Sequence, residues 1–337
     1  MIHLSFIHLS DILKKYLQND TNTPYYDVIQ KSIQQAEILN PWFIEKFIHT
    51  MLSHISDLIS KESIESYIAD FQTASHPKNI LVIAAGNIPM VSFHDVMTVL
   101  LSVHTLIFKP SSKDTVLMKM ILHILQDINP KLKEKIIIVE SPLSGRNMDA
   151  VIATGTNNTA HHIHQYFSQY PRIVRNNRTS IAIIDETTTD EELKKLADDI
   201  LLYFGMGCRN VSKIFIPENF DIQRIFKNIY DYGFVMQHHK YMNNYDYYRS
   251  IYLLNRESFL ENNFLIVKES EQLHAPVANL FYQRYTDINE PLKYIQNHQN
   301  DVQTIVGKNH TPFGMSQFPH ISDFSDGINT KNFLMEL

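Results

Sequence analysis

Cys208 is the only cysteine of the chain and the side chain best suited to act as a nucleophile. Its surroundings read Tyr203-Phe204-Gly205-Met206-Gly207-Cys208-Arg209-Asn210-Val211-Ser212. A structural thiol normally sits in an apolar run. Two glycines and an Arg-Asn pair instead predict a loop with exposed backbone donors. The thiolate is the reactive form, and positive charge or oriented N–H groups lower a thiol pKa, so Arg209 and the glycine-freed backbone are the expected activators. An inert buried thiol is the other reading that these flanks leave open. Two further polar breaks, Gly86-Asn87-Ile88-Pro89 and Lys109-Pro110-Ser111-Ser112, each follow a short apolar run.

The elements that must position these residues have a legible order. Asn40-Pro41-Trp42-Phe43 reads as an N-cap with Pro at the first helical position. After it Phe43, Phe47, Ile48, Met51, Leu52, Ile55, Leu58 and Ile59 recur at helical spacing, a stripe expected to dock on a larger body. The apolar run 79–85 predicts a strand buried on both faces, 91–102 a helix and 105–108 a second strand. In such βαβ units ligands gather beyond the carboxyl ends of the strands, where Asn87 and Lys109 fall. A second unit follows: helix 114–128 and strands 135–139 and 149–153, then Thr154-Gly155-Thr156-Asn157-Asn158-Thr159 opening a His-rich helix. Hydroxyls and free N–H groups there suit a phosphate, although a simple N-cap has the same composition. Strand 180–184, helix 190–204, strand 213–216 and a helix over 220–235 come next. Segment 237–248 is too aromatic for a linker and too polar for a core, which leaves a substrate channel or a subunit contact open. Strands 264–267, 277–282 and 302–306 and helix 288–297 complete the pattern.

At 337 residues with 44% hydrophobic and 20% charged residues, the chain has globular composition and length for two lobes. A formal charge of -6 gives no footprint for nucleic acid. One cysteine forms no internal disulfide and fits a reducing compartment. The first residues lack the pattern of a signal peptide and no apolar run approaches ~18 residues, so a cytoplasmic protein without a membrane span is expected. The 17 histidines are scattered without metal-ligand spacing.

Asn-Pro-Trp-Phe at 40–43, Ala-Ala-Gly-Asn-Ile-Pro at 84–89, Lys-Pro-Ser-Ser at 109–112, Gly-Cys-Arg-Asn-Val-Ser at 207–212 and Asp-Gly-Ile-Asn-Thr at 326–330 occur in this order. From about Asn40 to the C terminus the chain thereby resembles the LuxC-type acyl-CoA reductase branch of the aldehyde dehydrogenase superfamily. The resemblance implies an α/β fold of two Rossmann-like doubly wound lobes with a cleft between them. Residues 75–185, completed by about 311–337, would form the cofactor-binding lobe and 186–310 the catalytic lobe, with 1–74 a helical segment packed on the former. It also implies that Cys208 attacks the thioester carbonyl, that the Asn87 amide and the Cys208 N–H stabilise the developing oxyanion, and that Lys109 binds the adenine-side ribose. Thr154, Gly155 and Thr156 would lie near the pyrophosphate and Phe313 near the nicotinamide. Glu271, one residue out of register, stands for the carboxylate on the nicotinamide ribose.

Two departures from the superfamily shape the expected reaction. Aldehyde-oxidising members carry a general-base glutamate where this chain has Arg175-Asn-Asn-Arg-Thr-Ser180, so the acyl-enzyme would survive for hydride transfer instead of hydrolysis. Ser112 replaces a glutamate common in NAD-preferring members and tolerates a 2'-phosphate, which favours NADPH while NADH remains open. The reading is reduction of a fatty acyl-CoA or other acyl thioester to the aldehyde through an acyl-cysteine. Its rivals are a nicotinamide-independent cysteine acyltransferase or thioesterase, and a non-catalytic binding protein on a degenerate fold. An acyl-delivering partner protein is compatible with this reading. The chain is shorter than typical members, and the missing length is expected to include their oligomerisation arm, which leaves the oligomeric state open.

Overall fold

The computed structural model describes residues 2–69, 71, 76–140, 147–155 and 157–337, with residues 157–159 described by their backbone alone. The chain forms two compact units, Met1–Asn176 with His320–Leu337, and Asn177–Pro319.

The first unit opens with helices α1 (Ile2–Leu17), α2 (Tyr26–Leu39), α3 (Glu45–Leu58) and α4 (Lys61–Ile68). Every member of the stripe from Phe43 to Ile59 is buried. The helix nevertheless starts at Glu45 and not at Pro41. Asn40 Oδ1 accepts the Trp42 N–H at 3.3 Å and Asn40 O accepts the Phe43 N–H at 2.8 Å, so Asn40 to Phe43 form a turn between α2 and α3. The short amide side chain offered the backbone a local alternative to helix.

Next come β1 (Asn79–Ile83), α5 (Phe93–Leu101), β2 (Thr105–Lys109), α6 (Leu117–Ile128), β3 (Ile136–Ile138), β4 (Ala150–Thr154), α7 (Asn157–Tyr166) and β5 (Arg172–Arg175). The strands form one parallel sheet in the order β3-β2-β1-β4-β5. Leu81, Ile107, Val151 and Ala153 share a core with Ile163 of α7, while the alternate residues Ile80, Val82, Leu106, Phe108 and Ile152 are also buried. Side chains alternate between faces along a strand, so both faces of this sheet are covered, which is why its strands read as unbroken apolar runs. Ile83 lies opposite both Lys109 and Ala153, so the turns after β1, β2 and β4 leave the sheet along one edge.

The C-terminal segment returns to this unit. Arg175 is buried in an ion pair with Asp95, and its Nη2 donates to Thr330 Oγ1 at 2.8 Å. His104 accepts the Lys78 N–H on Nδ1 and donates from Nε2 to Leu334 O at 3.0 Å, which ties down the last helix, α12 (Thr330–Met335).

The second unit comprises β6 (Thr179–Ile183), α8 (Asp190–Leu201), β7 (Val211–Pro217), α9 (Gln223–Asn228), α10 (His239–Leu254), β8 (Leu260–Glu261), β9 (Ile266–Glu269), β10 (Asn279–Tyr285), α11 (Asn289–Asn297) and β11 (Val302–Val306). Its sheet runs β11-β6-β7-β10-β9-β8, parallel except at the β8/β9 pair. Strand β6, which the sequence reading grouped with the preceding strands, pairs here with β7 and β11. Its apolar run fits either sheet equally well, and only the pairing decides.

Two local differences stand out. The helix expected over 220–235 is the short α9 followed by 3-10 turns over Tyr230–Gln237. The aromatic segment 237–248 lies within and just before α10, where Tyr241, Tyr245 and Tyr252 are buried at helical spacing and the His238 Nδ1 caps the start by accepting the Tyr241 N–H. Tyrosine acts there as the apolar residue of an amphipathic stripe.

Candidate active site

On the first unit the predicted residues Asn87, Lys109, Ser112, Thr154 and Gly155 lie on or just beyond one edge of the sheet, in or next to the turns after β1, β2 and β4. Thr156 lies outside the described residues. Asn87 is half-buried in a turn held on two sides. At Gly86 a Cβ would meet Ser111 Oγ at 2.5 Å and Lys113 Cβ at 2.9 Å, so only glycine lets the two turns approach this closely. Asp114, buried, accepts the N–H of Met90 at 2.8 Å and of Leu117 at 3.2 Å, joining the Asn87 turn to the start of α6. Burial pushes the Asp114 carboxyl up to about 6, against the downward pull of those N–H groups. Lys109 ends β2 half-buried with its carbonyl accepting from the Ala84 N–H at 3.0 Å. Ser112 and Lys113 are exposed side by side.

Cys208 sits half-buried in the turn between α8 and β7. Helix α8 starts with a capping box in which Thr189 and Glu192 satisfy each other's backbone N–H groups. It ends in a 3-10 turn whose Tyr203 (φ 55°) and Phe204 (φ 58°) are both left-handed, followed by Gly205 at φ 73°. Left-handed backbone is costly for bulky residues and persists only where the surroundings fix it. Asn210 does the fixing. Fully buried, it accepts the Gly207 N–H at 2.7 Å on Oδ1, and its Nδ2 donates to Asp199 O at 3.0 Å and Leu202 O at 2.9 Å. One amide thus closes the last turn of α8 and shapes the peptide before the thiol. On the other side Ser180 Oγ donates to Cys208 O at 3.1 Å. The Arg209 guanidinium donates to Thr304 Oγ1 of β11 at 3.1 Å. The Phe204 ring packs on His238 at 4.2 Å between centroids, which brings the start of α10 against this turn.

The Phe313 turn is tied to the same helix end. Asp199 accepts the Gly314 N–H at 2.6 Å and the Ser316 N–H at 2.9 Å. Gly314 has φ 83°, and a Cβ there would meet Lys195 Cβ at 3.0 Å, so the turn requires glycine. Phe313 itself is buried. Glu271 is exposed in the irregular segment after β9. The backbone of that segment is held by Ser212 and Lys213 of β7 and by Tyr294 of α11.

A cleft of about 780 Å³ opens elsewhere on this unit, lined among others by Asp185, Glu186, Pro217, Glu218, Tyr285 and Lys308. It lies at the Pro217 end of β7, whereas Cys208 precedes the Val211 end. Seven residues of strand separate the two ends by roughly 20 Å, so this cleft is not the cysteine's site.

Asn210, Asp199, Asp114 and Lys213 were not singled out from sequence as residues that shape the site. Two of them carried a signal. Asp199 interrupts the apolar face of α8, and Lys213 is a charge inside the apolar run of a central strand. The stretch Arg175 to Ser180, read as lacking a base, holds a buried structural arginine at its head.

The fold is that of the aldehyde dehydrogenases. The chain is similar to glyceraldehyde-3-phosphate dehydrogenase GapN from Methanocaldococcus jannaschii, solved with NADP, at TM-score 0.67 and 12% identity, over 100% of this chain and 88% of that one. It is similar to the aldehyde dehydrogenase KauB from Pseudomonas aeruginosa at TM-score 0.66 and 10% identity, over 91% and 72% of the two chains. For a Mycobacterium tuberculosis aldehyde dehydrogenase solved with NAD+ the values are 0.63, 13%, 89% and 72%. None of the curated proteins matches the sequence. Residues 14–227, well over half of the chain, match the acyl-CoA reductase (LuxC) family, and the chain belongs to that family. Among the described residues no helix is long and apolar enough to cross a membrane.

Proposed function

We propose that the protein reduces a fatty acyl-CoA, or a related acyl thioester, to the aldehyde with NADPH through an acyl group held on Cys208. The observation that carries this reading is the setting of the thiol, half-buried in a turn whose backbone Asn210 and Ser180 fix, in a chain of the acyl-CoA reductase family.

The Cys208 thiolate attacks the thioester carbonyl carbon. A new C–S bond forms, the bond to CoA breaks, and the departing CoA thiolate takes a proton from solvent. The carbonyl oxygen becomes negative on the way. The Asn87 amide and the Cys208 N–H are the donors assigned to it, and preorganised donors of this kind lower such a barrier by a few kcal/mol. Asp114 and Asn210 shape the two turns that carry these donors. Arg175, buried against Asp95 at the head of the stretch where a general base would stand, activates no water, which favours reduction over hydrolysis.

The turns after β1, β2 and β4 share one edge of a parallel sheet, an arrangement that suits a dinucleotide. Lys109 would hold the adenine-side ribose, Thr154 and Gly155 (with Thr156) the pyrophosphate, and Glu271 the second ribose, with Phe313 packing near the nicotinamide. Ser112 beside Lys113 leaves room and charge for a 2'-phosphate, which favours NADPH over NADH. A reduced nicotinamide bound there would supply a hydride to the acyl carbon, and breaking of the C–S bond would return the Cys208 thiolate and release the aldehyde.

The test mixes purified protein with acyl-CoAs of graded chain length and NADPH and follows the nicotinamide absorbance. The reading expects oxidation that depends on acyl-CoA and disappears in Cys208→Ala. Release of CoA with no nucleotide consumed would favour a cysteine acyltransferase or thioesterase, and no turnover at any chain length would contradict both.

A further inference from the structure

The segment that follows β9 forms neither strand nor helix, yet four consecutive carbonyls in it are engaged by side chains. Ser270 O and Gln272 O accept from Lys213 Nζ, the second at 3.4 Å. Glu271 O accepts from Tyr294 Oη at 2.8 Å, and Leu273 O accepts from Ser212 Oγ at 2.9 Å. Ser212 and Lys213 are consecutive residues of β7, the strand that issues from the Cys208 turn. The strand that carries the thiol therefore also holds this segment.

Lys213 is the unexpected member. It is completely buried, with its ammonium 5.3 Å from the Phe215 ring centroid and 5.0 Å from that of Tyr294. An ammonium in a sheet core is costly unless its donors are used, and a methionine would fill the same space without that cost. Burial pulls the Lys213 pKa down to about 8, with the Glu271 carboxylate opposing. No bound molecule can reach Lys213 itself. The side chains that its contacts leave facing outward are Glu271 and Gln272, both exposed.

We propose that Lys213 is a positioning residue for nucleotide use: by fixing the Ser270–Leu273 backbone to β7 it sets the Glu271 carboxylate where it can hold a ribose diol relative to Cys208. This rests on the proposed reduction, in which Glu271 is a nucleotide contact. A carboxylate grips a vicinal diol only at one distance and orientation, and a shift of about 1 Å in such a group costs on the order of a hundredfold. The Cys208 turn does not depend on Lys213, because Asn210 and Ser180 hold it.

Steady-state kinetics with acyl-CoA and NADPH on Lys213→Met, Lys213→Arg, Glu271→Gln and the double Lys213→Met/Glu271→Gln test this, together with the rate of Cys208 alkylation by iodoacetamide. Lys213→Met is expected to raise the nucleotide KM by about tenfold or more, with the acyl-CoA KM and the alkylation rate within about twofold of wild type. Lys213→Arg should restore most of the loss, Glu271→Gln should reproduce it, and the double variant should be no worse than the poorer single one. An unchanged nucleotide KM in Lys213→Met, or equal damage to acyl-CoA KM and alkylation, overturns the positioning role while leaving the reduction standing. If Lys213→Met does not fold, Glu271→Gln at the wild-type nucleotide KM overturns it. Wild-type protein without nucleotide-dependent turnover overturns the reduction and this role with it.

Discussion

Asp199 and Asn210 hold each other and, between them, two turns of the second unit. Asn210 Nδ2 donates to the Asp199 carbonyl at 3.0 Å while the Asp199 carboxylate takes the N–H groups of Gly314 and Ser316. The same Asn210 amide accepts the Gly207 N–H one residue before the thiol. The Cys208 turn and the Phe313 turn therefore share an anchor in the last turn of α8, so damage at one should be felt at the other.

Asn210→Ala removes a buried donor and acceptor together and leaves the Gly207 N–H and the carbonyls of Asp199 and Leu202 without this partner. The expected cost is roughly 2–4 kcal/mol of folding stability, read from the urea midpoint. The rate of Cys208 alkylation should change along with it. Wild-type stability in this variant would mean that the turn is shaped by something other than this amide.

Asp199 gives a pH dependence with a definite sign. Burial pushes its carboxyl up from 3.8 to about 6, although the N–H groups of Gly314 and Ser316 pull the other way. The folded value lies above the unfolded one, so this group's contribution is fully present below about pH 3.8 and is lost as pH rises through about 6. A rise of that size corresponds to a change on the order of 3 kcal/mol. Urea unfolding of wild type and Asp199→Asn at acid and neutral pH should show wild type losing ground to the variant as pH rises. A difference that stays flat with pH contradicts the assignment.

Arg175 and Asp95 are both buried, and Arg175 also takes Thr330. Replacing only the arginine, as Arg175→Met, strands a buried carboxylate and should cost about 3–5 kcal/mol, whereas Arg175→Met/Asp95→Leu should recover most of it. Denaturant midpoints of the two variants decide. Equal losses would mean that the ion pair itself, and not the stranded charge, carries the stability.

Ser112 is exposed beside Lys113 in the turn after β2. Ser112→Glu places a carboxylate where the proposed nucleotide carries its 2'-phosphate. It should lower kcat/KM for NADPH by about tenfold or more and leave that for NADH equal or higher. Parallel changes for both nucleotides would remove Ser112 from the cofactor site.

Most of the strand order was legible in the sequence, and the supports of the turns were not. The apolar run 79–85 was legible as a strand because both its faces are covered, and the glycines and the Arg-Asn pair around Cys208 were legible as a turn. Asn210 was legible as part of that motif but not as its clamp, because nothing local reveals that its amide reaches back to Asp199 and Leu202. The start of α3 was misplaced because Asn40-Pro41 has the composition of both a helix cap and a turn, and the Asn40 to Trp42 hydrogen bond selects the turn. The tyrosines of α10 hid a helix, since their hydroxyls made a buried stripe look polar. Lys213 was legible only as the first residue of a strand, because nothing local shows that its ammonium is buried in a central strand and reaches the carbonyls after β9.

The central claim is that the Cys208 sulfur takes the acyl group. Wild-type protein incubated with a long-chain acyl-CoA in the absence of nucleotide, quenched and measured by intact and peptide mass, should carry one acyl group on Cys208 with an equal amount of CoA released, and NADPH should discharge it as aldehyde. Cys208→Ala should carry none. No adduct on the wild-type protein, or the same adduct on Cys208→Ala, would contradict the account.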